Sequence, residues 1–85
     1  MAETESITCT GGWQQIAIGP ANVTMTAEHP TVRYALRESA GDPAAVVTGH
    51  VLPEREDRSI AIETGTRLYI RGRAGFLVTV SVDAL

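Results

Sequence analysis

The sequence predicts an all-β fold, a small β-sandwich or jelly roll of about seven or eight short antiparallel strands. Three observations lead there. Turn residues, chiefly glycine and proline, punctuate the chain at roughly ten-residue intervals. Side chains in the last quarter alternate strictly, the period of a strand with one buried face. No stretch sustains the 3.6-residue period of an amphipathic helix.

In chain order, the polar and acidic residues 1–5 read as a flexible N-terminal segment, and residues 6–85 as a single β domain. Ser6 to Thr10 forms a first short strand with Ile7 and Cys9 on one side, ended by Gly11 and Gly12. Trp13 to Ile18 forms a second, in which Gln14, Ile16 and Ile18 oppose Trp13, Gln15 and Ala17; this mixed pattern does not fix the inward face. Gly19 to Asn22 is a turn, because its glycine, proline and asparagine suit turn geometry. Val23 to Ala27 then alternates apolar residues with threonine. Pro30 ends this run, since it lacks a donor and biases His29 toward extended geometry.

Thr31 to Glu38 sets Val32, Tyr34 and Leu36 against Thr31, Arg33, Ala35 and Arg37. Ser39 to Ala45 is a long exposed loop with a turn at Gly41-Asp42-Pro43. Val46 to Leu52 is a strand interrupted by Gly49, which signals a bulge or a close backbone approach. Pro53 to Asp57 is a charged turn. Three strands follow, cut by Gly65 and by Gly72 to Gly75. Their inward faces carry Ile60 and Ile62, then Leu68 and Ile70, then Phe76, Val78, Val80 and Val82. Outward from the middle strand point Arg67, Tyr69 and Arg71. The two arginine-bearing faces, around Arg33 to Arg37 and Arg67 to Arg71, are expected in one sheet, with Glu38 and Glu63 as partners.

The chain has 85 residues, enough for one domain, and at that size oligomerisation as a dimer or trimer would add useful burial. Its formal charge of −3 offers no general attraction to nucleic acid or to an anionic membrane. No segment reaches the length of a membrane span. All positive side chains are arginines, suited to planar pairing with carboxylates. Cys9 is the sole cysteine, so the fold holds without an internal disulfide. The N-terminus has neither the basic start nor the apolar run of a signal peptide, and a cytoplasmic site of synthesis is expected.

Chemistry-bearing residues form no catalytic pattern, so the expectation is a protein that is not an enzyme and takes no cofactor or metal. His29 and His50 lie in separate segments without a second ligand at metal-binding spacing. No serine has the flanking glycines of a nucleophile elbow. Glu54, Glu56 and Asp57 interleave with Arg55 and Arg58, which makes a solvated, self-neutralising turn. Gly72 to Gly75 precedes a valine-rich strand instead of the helix a phosphate loop needs. The remaining candidates are protein-interface residues, Arg67, Tyr69, Arg71 and Arg73 with Trp13. Their plain alternative is a hairpin with solvated arginines, and for Trp13 a core anchor.

The order Pro43, then Gly49-His50-Val51-Leu52-Pro53-Glu54, then Ile60-Ala61-Ile62, then Leu68 to Gly72, then an alternating valine strand resembles small all-β virion proteins of tailed bacteriophages. The likeness runs from about Trp13 to Val82, and Pro53-Glu54 stands where such proteins commonly have Pro-Gly-Glu. The resemblance implies a capsid decoration, or cement, protein that binds the assembled major capsid lattice on the virion surface. A tail, baseplate or fibre module of the same kind of particle is the alternative, and a carbohydrate-binding module using Trp13, Tyr34 and Tyr69 a further one.

Overall fold

The computed structural model describes residues 2–38, 41, 43, 44 and 48–84. Its strands are β1 (Ala2–Thr8), β2 (Gln14–Ile18), β3 (Ala21–Ala27), β4 (Arg33–Arg37), β5 (His50–Val51), β6 (Asp57–Ile62), β7 (Arg67–Arg71) and β8 (Leu77–Ala84), with no helix among the described residues. They form two four-stranded sheets, ordered β1-β8-β3-β6 and β2-β7-β4-β5.

This order follows from one long hairpin. β1 pairs with β8, β2 with β7, β3 with β6 and β4 with β5, all antiparallel, so the first four strands run back along the last four. Folding that ribbon over adds the pairs β3 with β8 and β4 with β7. The result is an eight-stranded jelly roll, in which each sheet draws strands from both halves of the chain.

Between the sheets lies the main core. Val23, Met25 and Ala27 on β3 meet Leu68 and Ile70 on β7, with Val78 and Val80 on β8, all buried. These are the alternating residues the sequence sets inward. Each buried valine, leucine or isoleucine side chain contributes roughly 1.5–3 kcal/mol, so this layer is the main source of stability. Cys9 belongs to it as well, and burial pushes its thiol pKa up. Gly72 passes so close to Cys9 that a Cβ there would lie 2.7 Å from the sulfur.

Several boundaries differ from the sequence reading. β1 begins at Ala2, where residues 1–5 were expected to be flexible: Glu3 to Ser6 are exposed, yet their backbone pairs with Val82 to Thr79 on β8. An edge strand needs only its backbone partner, and polar side chains do not prevent that. The mixed pattern of β2 has a cause, a register shift between Gln15 and Ala17 that interrupts strict alternation at Ile16. Leu36 is 48% exposed, although it shares the parity of buried Val32 and Tyr34. The expected strand Val46 to Leu52 is seen at His50 and Val51, while residues 46 and 47 of it lie outside the described residues, as do 39, 40, 42 and 45 of the expected loop.

Candidate functional site

The outer face of β2-β7-β4-β5 carries four of the five candidate residues. Antiparallel register sets Arg33 opposite Arg71, Ala35 opposite Tyr69, and Arg37 opposite Arg67. β4 and β7 are therefore neighbours, and their arginines share one face. Like charges directly opposite each other destabilise a sheet unless other groups take up the charge. Here the chain itself supplies such groups.

Tyr69 sits at the middle of this face and is only 1% exposed. Ala35, small and directly across, leaves room for its ring, and Trp13 completes a second buried cluster. The Tyr69 hydroxyl donates to the Gly41 carbonyl at 2.8 Å, with Gln15 Oε1 a more distant acceptor at 3.4 Å. Gly41 lies between β4 and β5 in the chain, and its backbone stands over the hydroxyl end of the ring as part of its cover. Gly49 closes the cluster at Trp13. Its backbone has φ 72°, and a Cβ there would fall 2.6 Å from the Tyr34 carbonyl oxygen and 2.9 Å from the Trp13 ring. The close approach signalled by Gly49 in the sequence is this contact.

The arginines frame the cluster. The Arg71 guanidinium carbon lies 5.0 Å from the centre of the Trp13 ring, a cation–π contact. Arg67 Nη1 donates to the Glu38 carbonyl oxygen at 3.2 Å; the expected partner was the Glu38 carboxylate. Arg73 is set apart. It is exposed in the turn between β7 and β8, where its carbonyl accepts from the Phe76 amide at 3.0 Å. The structure thus brings Arg67, Tyr69, Arg71 and Trp13 together, with both aromatic residues buried, and leaves Arg73 at one end of the molecule.

No family model, curated protein or solved structure matches this chain.

Function has to be read from the surfaces themselves. On the outer face of β1-β8-β3-β6, register aligns Thr4, Ser81, Thr24 and Ser59 in one row across the sheet, and Ser6, Thr79, Thr26 and Asp57 in the next. The Thr4 and Ser81 hydroxyls are 2.8 Å apart, those of Thr24 and Ser59 3.1 Å, and the Thr26 hydroxyl donates to Asp57. This is a face of short hydroxyl side chains hydrogen-bonded across strands. The alternation of threonines in β3 predicts that strand's share of it; the rows appear only once the strands are in register.

The three aromatic residues of the carbohydrate reading, Trp13, Tyr34 and Tyr69, are all buried and present no ring face for stacking. His29 stacks on Phe76 with ring centres 4.4 Å apart, and His50 tilts against Tyr34 at 5.2 Å. Both histidines are packing partners of aromatic rings. Among the described residues no group of three or more His, Cys, Asp or Glu gathers at a metal-binding spacing.

Proposed function

We propose that this chain is a non-enzymatic structural protein of a bacteriophage virion, a capsid decoration protein that binds the assembled major capsid lattice and stabilises it. The sequence resemblance supplies the context. The observation that carries the structural part is the broad outer face of β1-β8-β3-β6, lined by short hydroxyl side chains whose cross-strand hydrogen bonds hold them in place. Short, ordered side chains lose little conformational freedom on docking, which suits a module that must sit flat on a larger surface. Binding that requires the folded state also stabilises a small domain by mass action, and repeated attachment across a lattice makes weak single contacts sufficient. Assembly as a dimer or trimer would multiply those contacts.

The burial of Tyr69 and Trp13 moves the contact surface away from them. Arg73, exposed in its turn, is the one sequence candidate free of the covered cluster. Arg71→Glu would disturb the stacking on Trp13 as well as any partner contact, so it cannot isolate binding. Arg73→Glu can.

The test is to purify phage particles from cells that produce this protein, separate heads from tails and locate the chain by mass spectrometry. Recovery with heads, at fixed stoichiometry and with lower heat resistance of heads stripped of it, supports the reading. Recovery with tails favours the tail or baseplate alternative, and absence from particles removes both.

A further inference from the structure

The two sheets do not close on each other along the side where β1 and β2 form their edges. A cleft of about 370 Å³ opens there between the sheets. Ile7 and Val82 line one wall and Ile16 and Ile18 the other, with Ile18 50% exposed. At its rim stand Glu3 and Glu5, the only charged residues lining it among the described residues.

Register explains why it stays open. Glu3 lies opposite half-buried Val82, Glu5 opposite buried Val80 and Ile7 opposite buried Val78, on the side of β1 that faces the core. Two of the three inward positions of this edge strand therefore carry carboxylates, which keep their heads in water and cannot seal the core. The register shift at Ile16 brings Ile16, Ala17 and Ile18 all onto the opposite wall.

We propose that this cleft receives an extended segment of a partner protein that carries arginine or lysine side chains. An apolar floor beneath a carboxylate rim matches the anatomy of a long basic side chain, whose methylene stem packs on apolar surface while its head group remains polar. The head would pair with Glu3 and Glu5 in charge-assisted hydrogen bonds. Among the described residues β2 has no strand on its outer side, so an extended segment can add to it through backbone hydrogen bonds, with alternate side chains turned into the cleft. A second copy of this chain is the poorer occupant. Its net charge of −3 repels, and pairing β1 edges would bring carboxylates together, a device by which edge strands avoid self-association. This inference stands independently of the virion reading.

The test uses the full chain, isotope-labelled, titrated with two short synthetic peptides, one alternating valine with arginine and the other valine with glutamate. The arginine peptide is expected to shift the amide signals of β1 and β2, and the glutamate peptide to leave them unmoved. Glu3→Gln combined with Glu5→Gln should weaken arginine-peptide binding about fivefold or more. Ile18→Ser, at an exposed site that leaves the core intact, should weaken it as well. Equal binding of both peptides, full affinity in the doubly substituted chain, or signal changes confined to another face would overturn the proposal. Self-association in sedimentation that Ile18→Ser abolishes would assign the cleft to a second copy and overturn it too.

Discussion

The two sheets share one core, but their outer faces are built on opposite plans. On β2-β7-β4-β5 a large aromatic side chain, Tyr69, stands between two cross-strand arginine pairs and is buried, with Trp13 packed beside it and Gly41 accepting from its hydroxyl. On β1-β8-β3-β6 the side chains are short hydroxyls that hydrogen-bond to one another. The difference teaches that an outward position in a strand is not automatically a contact surface. Outward Tyr69 is as buried as inward Leu68 beside it, because Trp13 and Gly41 pack against it, whereas outward Thr24 is only partly covered. Size follows cover: the bulky rings occur where other residues pack over them, and the small hydroxyls where they do not.

The largest expected effect tests that covering directly. Leu68→Ala, in the main core, should cost about 2–5 kcal/mol, and Tyr69→Ala, on the opposite side of the same strand, a comparable ~3–5 kcal/mol, both read by chemical denaturation. A loss below ~1 kcal/mol for Tyr69→Ala would mean that its ring is surface-exposed. Next comes Gly49→Ala, which places a Cβ against the Tyr34 carbonyl and the Trp13 ring at a positive φ. It should cost about 1–3 kcal/mol or more, and by loosening the cover it should also shift the tryptophan emission to longer wavelength.

Arg71→Ala removes the guanidinium from Trp13 and should cost about 0.5–2 kcal/mol in thermal or denaturant unfolding. Thr24→Val, which deletes a hydroxyl from the other sheet's outer face and keeps the β-branched shape, should stay within about 0.5 kcal/mol of the parent. If the two substitutions exchanged their ranks, the contrast between the faces would fail.

Much of the fold was legible in the sequence. The strict alternation in Val23 to Ala27 and in Phe76 to Val82 marks β3 and β8 and the buried members of each, because burial on one face imposes a period of two. The shared arginine pattern of β4 and β7 correctly places them in one sheet. β2 was ambiguous because a register shift breaks the period that the reading depends on. The candidate site was legible only in part. Arg67, Tyr69, Arg71 and Trp13 do come together, but their cover depends on tertiary contacts of Gly41 and Gly49 that local sequence does not specify. The close-approach signal at Gly49 was present in the sequence without naming its partner. The cleft beside Glu3 and Glu5 was hidden for a different reason: a polar N-terminal stretch carries no strand signal of its own and is ordered by pairing with β8.

Because Trp13 is the sole tryptophan, its fluorescence reports on the covered face without interference. The most direct measurement is quenching of that fluorescence by acrylamide and by iodide in the native protein, compared with the unfolded chain. A covered Trp13, 7% exposed beneath Gly49 and Arg71, predicts weak quenching by both agents in the native state and strong quenching after unfolding. Native quenching as strong as that of the unfolded chain would contradict the account, because the face would then be open and its aromatic residues available to a partner.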